Sequence, residues 1–210
     1  YELVNIVLLG GDDELSDDII RTDTMIVVSI NIETGTVAML SLPRDLFVYV
    51  PTPTMTRLNT VYSTGESFGW SGGGFGLLRE TIFYNFGIQV HYYARVSFTD
   101  FETIINTLGG VELAVDCAYQ DYYPVEDIDL SRPLEDNYYL RTLDVGYHTL
   151  DGFDALWYAR TRRNSDDFDR GRRQQQLLRA ILRAARDRGH ARLGGRRMTP
   201  PDSPTSGAPS

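Results

Sequence analysis

The strongest constraint on the fold is an alternation of short β-rich apolar runs with segments of helical periodicity. Leu3–Leu9, Met25–Ile32 and Val37–Leu42 are runs of strand length, whereas the apolar residues of Phe98–Leu108 recur every three or four positions. Strands interleaved with helices predict an α/β layered domain. Glu33-Thr34-Gly35-Thr36 lies between two of the strands and predicts a hairpin, which requires antiparallel neighbours. We therefore expect a three-layer α/β/α sandwich around a mixed central β-sheet, in a single domain.

The remaining elements follow from the same patterns. The predicted further strands are Phe47–Val50, Val90–Val96 and Val111–Val115, and the predicted further helices are Leu77–Phe86, Asp151–Tyr158 and Gln174–Arg188. Residues 69–76 hold five glycines and predict a loop, and residues 119–147 predict a long surface excursion. From Gly189 the composition turns to Gly, Pro, Ser, Thr and Arg. We expect a catalytic domain over residues 1–188 and a disordered tail over 189–210.

Length and composition exclude several classes of protein. The chain has 210 residues, of which 42% are apolar and 23% charged, as in a soluble globular domain. The longest uninterrupted aliphatic stretch, Ile6–Leu9, is far too short to span a bilayer. The one cysteine, Cys117, excludes an internal disulfide framework and a cysteine-cluster metal site.

The basic residues are informative because all 20 are arginine. The absence of lysine excludes a P-loop lysine, a Schiff-base lysine and the kinase strand lysine. Residues 160–210 carry 13 Arg against 5 Asp, whereas residues 1–159 carry 7 Arg against 24 acidic residues. An acidic chain disfavours nucleic acid, whereas a local arginine concentration suits an anionic ligand. A solvated arginine-rich helix and tail remains the alternative.

Two carboxylates border the first two predicted strands. Asp12 lies just past the first strand and Asp23 just before the second, so neighbouring strands would bring both to one edge of the sheet. Two carboxylates with water and phosphate oxygens are typical of a Mg²⁺ site, and Arg21 could contact the same anion. Solvated turn-forming aspartates are the alternative.

Two groups of arginines suit a phosphate ligand. Arg44 directly follows a predicted strand, and its planar fork can bind phosphate in bidentate fashion, although a surface ion pair with Asp45 is equally open. Near the C-terminus, Arg160 and Arg162 alternate in an extended segment, and a helix start follows with one face formed by Arg170, Arg173 and Gln174. Gathered guanidiniums repel one another unless an anion neutralises them, which favours a polyanion shared among several donors.

A serine-hydrolase pattern is also present. Gly69-Trp70-Ser71-Gly72-Gly73 matches G-x-S-x-G, and His148 could complete a triad. That motif requires a buried strand directly before the serine, and the preceding residues do not predict one. We regard Ser71 as a minor alternative.

Taken in order, the motifs resemble the LytR–CpsA–Psr family of bacterial cell-envelope proteins over residues 3–186. The motifs that carry the resemblance are N-I-V-L-L-G-G-D at 5–12, R-T-D-T at 21–24, S-L-P-R-D at 41–45, R-L-N at 57–59, L-G-G-V-E at 108–112, L-D-G-F-D-A-L-W-Y-A-R-T-R at 150–162 and D-F-D-R-G-R-R-Q-Q at 167–175.

The resemblance implies a function and a location. Members transfer a glycopolymer, such as teichoic acid or capsule, from a polyprenyl diphosphate carrier to peptidoglycan, and they lie on the outer face of the cell membrane behind an N-terminal helix. That helix would precede Tyr1, and because family domains usually continue past the last motif, we expect this domain to end early.

The resemblance also implies roles for individual residues. Asp12 and Asp23 would bind Mg²⁺, with Mn²⁺ as an alternative. The residues implied to bind the diphosphate are Arg21, Arg44, Arg57, Arg160, Arg162, Arg170 and Gln174. Asp167 would be the base for the incoming hydroxyl, with Arg44 and Arg170 as its catalytic partners. A non-catalytic polyprenyl-phosphate binder and a polyprenyl diphosphate hydrolase remain alternatives, whereas the acidic first 159 residues disfavour a transcriptional regulator.

Overall fold

A computed structural model describes residues 3–11, 22–52, 54–125, 129 and 131–194. The strands are β1 (Leu3–Gly10), β2 (Thr24–Asn31), β3 (Val37–Ser41), β4 (Phe47–Val50), β5 (Thr54–Arg57), β6 (Tyr92–Val96), β7 (Val111–Val115), β8 (Tyr119–Pro124), β9 (Tyr138–Leu143) and β10 (Gly146–Leu150). The helices are α1 (Leu58–Ser67), α2 (Gly73–Phe86), α3 (Phe98–Thr107), α4 (Gly152–Arg160) and α5 (Asp167–Gly194), with a 3₁₀ turn at Leu134–Asn137.

The main sheet is mixed, with the strand order β3-β2-β1-β6. β2 runs antiparallel to both β1 and β3, whereas β6 runs parallel to β1. The predicted hairpin joins β2 to β3, and there Gly35 adopts a φ of +66° while Asn31 Oδ1 accepts hydrogen bonds from the Glu33 and Thr34 amides, both at 3.0 Å. A left-handed residue is what such a turn requires, so the predicted hairpin is confirmed.

Helices cover both faces of this sheet. The face with Val7, Leu9 and Val27 packs into an apolar core with α1 and α2, including Leu58 and Leu77. On the opposite face α5 approaches β2 and β3, where Gln174 donates to Thr24 Oγ1 at 3.0 Å and Gln175 donates to Ser41 Oγ at 2.9 Å. The predicted α/β/α sandwich around a mixed sheet is confirmed.

A second apolar core lies beneath α3, α4 and α5. It is formed by β7 and β10, which pair antiparallel, together with Tyr119, Tyr158 and Leu177. The β8–β9 hairpin lies beside this core. Sequence periodicity missed this hairpin because its residues are tyrosine-rich and mostly exposed or half-buried on both faces, so no polar–apolar alternation marks it.

The glycine-rich segment differs from the prediction. Residues 69–76 were expected to be a loop, but α2 already begins at Gly73, and α1, which was not predicted, precedes it. A Cβ on Gly65 of α1 would lie 2.8 Å from Gly73 O and from Gly74 Cα, so the glycines allow the two helix backbones to approach closely. The glycines are therefore a packing feature of this helix pair.

The C-terminal helix is longer than expected. α5 begins at Asp167 and reaches Gly194, six residues past the boundary predicted at 188, and residues 195–210 lie outside the described residues. Within the described part of the chain, no helix is both long and apolar enough to cross a membrane.

Candidate anion-binding cleft

The strand directions bring several chain segments to one edge of the main sheet. Gly10 pairs with both Thr24 and Val96, so the ends of β1 and β6 meet the beginning of β2. Ser41 pairs with Ile26, so the end of β3 lies at the same edge. Segments that follow β1, β3 and β6, and the segment that precedes β2, therefore converge there.

Arg44 and Asp23 form the sheet side of the site. Arg44 Nη1 lies 2.9 Å from Asp23 Oδ1, and its Nε lies 3.2 Å from Asp45 Oδ2. The Arg44 side chain is only 21% exposed. Burial lowers the pKa of Arg44, but the carboxylates of Asp23 and then Asp45 outweigh burial and raise it. Arg44 is thus a fixed cation at the sheet edge.

The backbone around Arg44 is tied to the start of α1. The Asn59 amide donates to the Arg44 carbonyl at 3.0 Å, and the Leu58 amide donates to the Leu46 carbonyl at 2.9 Å. The buried Thr22, next to Asp23, directs its hydroxyl towards the Asn59 carbonyl at 3.4 Å. The Arg-Leu-Asn motif therefore supports both the arginine and the aspartate of the site.

The first turns of α5 form the opposite wall. Asp167, Arg170 and Gln174 are spaced so that they lie on one face of the helix. Arg170 is 8% exposed, and its Nη2 lies 3.2 Å from Asp167 Oδ1. Gln174 Nε2 bridges Thr24 Oγ1 at 3.0 Å and the Ala159 carbonyl at 3.4 Å, and so joins β2, α4 and α5.

Between these walls is an open cleft of about 580 Å³. Five of the predicted site residues border it, namely Asp23, Arg44, Asp167, Arg170 and Gln174. Among the described residues, three arginines border it, and the donors of one, Arg172, are bound by Asp116, Asp169 and Tyr119. The positively polarised N-terminus of α5 and the other two, Arg44 and Arg170, suit an anion with several oxygens. The two arginines come from opposite walls, so a ligand of diphosphate size could receive donors from both sides.

Arg160 and Arg162 do not border this cleft. Arg160 ends α4, and its guanidinium lies 4.2 Å from the centre of the Phe98 ring. Arg162 is exposed, and its backbone amide donates to Asp121 Oδ2 at 2.8 Å. Because Gln174 reaches the Ala159 carbonyl, the α4 terminus lies next to the cleft even though the two arginine side chains lie outside it.

Arg57 is also outside the cleft. Its side chain is 58% exposed, and Nη1 lies 3.5 Å from Asp45 Oδ1. Its guanidinium lies 5.9 Å from the centre of the Phe47 ring. Within the described residues, Arg57 is connected to Arg44 through Asp45.

The predicted cation site is only partly within the described residues. Asp12 and Arg21 lie outside them. The described residues contain no cluster of three or more metal-ligating side chains. Mg²⁺ needs only one or two carboxylates when phosphate oxygens complete its shell. The hydrogen bond from Arg44 uses Asp23 Oδ1, and Oδ2 has no recorded partner in the described chain, so the residues present fit such an ion.

Arg173, expected among the anion-binding arginines, has a different role. It is completely buried, and it donates to the Thr161 carbonyl at 2.7 Å, to Ser165 Oγ at 2.9 Å, to Asp169 at 3.1 Å and to the Tyr158 carbonyl. Its donors serve the protein itself, so the expectation that it binds a polyanion was wrong.

Ser71 lacks the surroundings of a hydrolase nucleophile. It is exposed in the turn between α1 and α2, so a helix and not a strand precedes it. His148 belongs to β10, and its Nε2 lies 2.8 Å from the Asp144 carbonyl. The strand-to-turn geometry that the motif needs is missing at this serine.

Fold and cleft together describe an α/β domain with an arginine- and aspartate-lined cleft, the candidate anion site, at the edge of a mixed sheet. The chain belongs to the LytR–CpsA–Psr (LytR_cpsA_psr) family, whose model matches residues 1–192.

Named relatives agree with this assignment. The chain is 34% identical over 186 residues to the polyisoprenyl-teichoic acid–peptidoglycan teichoic acid transferase TagU of Oceanobacillus iheyensis, with 88% of this chain and 52% of TagU covered. It is 31% identical over 182 residues to the corresponding transferase TagT of Bacillus subtilis, with 85% and 51% covered. A solved structure of TagT with bound octaprenyl pyrophosphate lipid aligns with a TM-score of 0.64 at 29% identity, covering 88% of this chain and 65% of that one. The chain spans about half the length of these curated relatives.

Proposed function

We propose that this domain transfers a glycopolymer from a polyprenyl diphosphate carrier to peptidoglycan at the outer face of the cell membrane. The supporting observation is the cleft of about 580 Å³ that Arg44 and Arg170 both border, beside Asp23. Relatives named as teichoic acid transferases, one of which is solved with a polyprenyl pyrophosphate lipid, point to the same chemistry.

The proposed reaction is a phosphoryl transfer. The acceptor hydroxyl oxygen attacks the phosphorus that carries the glycan, the bond from that phosphorus to the bridging oxygen breaks, and polyprenyl phosphate leaves. A phosphodiester between glycopolymer and peptidoglycan forms. Such reactions need positioning and positive charge more than covalent catalysis, in keeping with a chain that has no lysine.

Each wall of the cleft has a part in this reaction. Arg44 and Arg170 bind phosphate oxygens and stabilise the charge that builds up on them. Asp167 is exposed at the first position of α5 and can accept the proton of the attacking hydroxyl. Asp23, with Asp12 as the predicted second carboxylate, would hold a Mg²⁺ ion, which supplies further positive charge to the phosphates when bound.

The direct test is incubation of the protein with a polyprenyl diphosphate-linked glycan, a peptidoglycan acceptor and Mg²⁺. We expect a glycan–peptidoglycan phosphodiester and free polyprenyl phosphate, and loss of both when the metal is chelated. Folded protein that forms neither product in the presence of Mg²⁺ would overturn the proposal.

Wild-type measurements and an Asp167→Asn variant together separate the alternatives. A transferase loses turnover but keeps its affinity for the lipid, because the arginines are unchanged. A protein that only binds polyprenyl phosphates shows no turnover in the wild type. A hydrolase releases polyprenyl phosphate at the same rate with or without the acceptor.

A further inference from the structure

The backbone that joins α4 to α5 is held from two sides by side chains of opposite charge. This connection, residues 161–166, follows Arg160 and contains Arg162, and it ends where Asp167 begins α5. It therefore leads directly into the first turn of α5, whose Asp167 and Arg170 border the cleft. Contacts that fix its path therefore help to fix where this first turn lies.

Asp121, on β8, binds the donor groups of the connection. Its Oδ2 accepts from Thr161 Oγ1 at 2.7 Å, from the Arg162 amide at 2.8 Å and from the Arg163 amide at 3.3 Å. Its Oδ1 accepts from the Tyr122 amide at 2.8 Å. Two successive backbone amides directed at one carboxylate oxygen define the local backbone conformation, because neither amide can rotate without losing its partner.

Arg173 binds the acceptor groups of the same segment. It reaches the carbonyls of Tyr158 and Thr161 and the Ser165 hydroxyl from the buried side of α5. Thr161 is thus bound by Asp121 through its hydroxyl and by Arg173 through its carbonyl. One carboxylate binds the donors of residues 161–163, and one guanidinium binds acceptors of Thr161 and Ser165.

β8 makes a further contact with the connection through Asn164. The Asn164 side chain donates to the Ala118 carbonyl at 2.9 Å and accepts from the Gln120 amide at 3.2 Å. The Arg163 guanidinium lies 5.2 Å from the centre of the Tyr122 ring. The connection therefore runs along β8, and Asp121 lies in the middle of that contact.

The carboxylate of Asp121 is directed at the protein and not at the cleft. Asp121 also does not border the cleft, and its interactions are with the backbone of the connection. Burial raises the pKa of Asp121, but hydrogen bonds from Arg162, Thr161, Tyr122 and Arg163 outweigh it and lower the pKa. The group is accordingly an anion that is already saturated with donors.

We propose that Asp121 is a positioning residue, whose carboxylate fixes the path of the α4–α5 connection and so sets the placement of the first turn of α5, with Asp167 and Arg170, for binding of the diphosphate. This inference rests on the proposed function in naming the ligand. The geometric part, that Asp121 fixes the connection, stands on the hydrogen bonds alone.

The test compares Asp121→Ala and Asp121→Asn with wild type and with Asp129→Asn as a matched control. Asp129 is also an aspartate that accepts a backbone amide, from Ser131 at 2.9 Å, but none of its recorded contacts is with residues 158–165. The measurements are hydrogen exchange at the Arg162 and Arg163 amides, binding of farnesyl diphosphate by calorimetry, and kcat and KM for glycan transfer. Thermal unfolding reports whether each variant is folded.

We expect Asp121→Ala to speed exchange at both amides about tenfold or more and to weaken farnesyl diphosphate binding about tenfold. Transfer should fall about 10- to 100-fold, mainly in kcat, because small misplacements of catalytic groups have effects of this size. Asp121→Asn keeps one acceptor oxygen and should fall between Ala and wild type, and Asp129→Asn should match wild type. If the alanine variant does not fold, Asp121→Asn and Thr161→Val, which removes only the hydroxyl donor, take its place.

Two results would overturn the inference. Unchanged exchange at Arg162 and Arg163 would show that Asp121 does not fix the connection. Faster exchange with farnesyl diphosphate binding and transfer within about twofold of wild type would show that the fixed path does not matter for the ligand. If wild type binds farnesyl diphosphate in an Asp121-dependent way but transfers no glycan, the proposed function fails and this inference stands.

Discussion

Arg170 and Arg173 lie one turn apart on α5, and both are buried, yet they belong to different regions of the molecule. Arg173 lies in the second core, where it donates four hydrogen bonds and its guanidinium lies 4.7 Å and 5.4 Å from the ring centres of Tyr119 and Tyr158. Arg170 borders the cleft, and Asp167 at 3.2 Å is its recorded side-chain partner within the described residues. Burial and arginine content do not distinguish a ligand site from a structural network. What distinguishes them is whether the guanidinium N–H donors are already bound by protein acceptors.

Replacing Arg173 should give the largest effect. Arg173→Met leaves Asp169 and two backbone carbonyls without their buried donor, and we expect the free energy of unfolding to fall by about 3–5 kcal/mol. Urea unfolding at neutral pH measures it. Arg170→Met is the matched control, with an expected loss of about 1 kcal/mol or less, since the ion pair that it makes within the described residues is with the half-exposed carboxylate of Asp167. Equal losses of unfolding free energy in the two variants would contradict the assignment of Arg173 to a structural network and Arg170 to the cleft.

For ligand binding, in contrast to stability, we expect Arg170 to matter more than Arg173. Arg170→Ala removes a charged donor from the cleft, and we expect the Kd for farnesyl diphosphate to rise about 10- to 100-fold, because a hydrogen bond to a charged group contributes about 1.5–3 kcal/mol. Calorimetric titration measures the change. Arg179→Ala, at an exposed position of the same helix, should bind as wild type does. Unaltered affinity in Arg170→Ala would mean that the ligand lies elsewhere.

Acid should destabilise the second region. Burial raises the pKa of Asp154 and of Asp169, but hydrogen bonds outweigh it, from Arg141 and Tyr123 to Asp154 and from Arg172, Tyr119 and Arg173 to Asp169, so both pKa values are lowered. A carboxyl whose pKa is lower in the folded state contributes stability above its unfolded value of about 4, and this stability is lost as pH falls through the folded value.

We therefore expect the urea midpoint to stay level from about pH 7 to 5 and to fall steadily below about pH 4. Asp154→Asn should lower the midpoint at neutral pH, because Arg141 loses the carboxylate that lies 2.9 Å from its Nη2, and should flatten the acid limb. The wild-type series is the control. An acid limb of the same depth in the variant would contradict this assignment.

The smallest effect is expected at Arg57, which the family resemblance places among the diphosphate ligands. Arg57→Ala removes an exposed ion pair, and we expect stability to change by about 0.5 kcal/mol or less and the farnesyl diphosphate Kd by about twofold or less. The same titration and urea experiments measure both, with Arg170→Ala as the positive control. A tenfold weaker affinity would bring Arg57 into the site.

Sequence patterns anticipated the main sheet well, because its strands are continuous apolar runs and its hairpin turn has a glycine at the left-handed position. They missed α1, although Leu58, Val61, Tyr62 and Gly65 are buried at helical spacing. The buried face of α1 includes a glycine, which periodicity does not count as apolar. Its role becomes visible only when the second helix is placed against it.

The candidate site shows a similar division. The order of the motifs was enough to select Asp23, Arg44, Asp167, Arg170 and Gln174, which border one cleft. Spacing could not separate Arg170 from Arg173, because both fit the same helix face by the three- and four-residue rule. Asp121 was not selected at all, since its partners lie some forty positions away along the chain and only the fold brings them together.

The support that α1 gives to Arg44 has an entropic consequence. Binding orders flexible side chains at a cost of about 0.5–1.5 kcal/mol for each one immobilised. Arg44 is already restrained by two carboxylates and by the amide of Asn59 on its own carbonyl, so an arriving anion finds a guanidinium that has little freedom left to lose. If the first turn of α1 were loosened, Arg44 could still make the same contacts with the anion. Binding would nevertheless be weaker, because Arg44 would be disordered in the unliganded protein and would have to be ordered on binding.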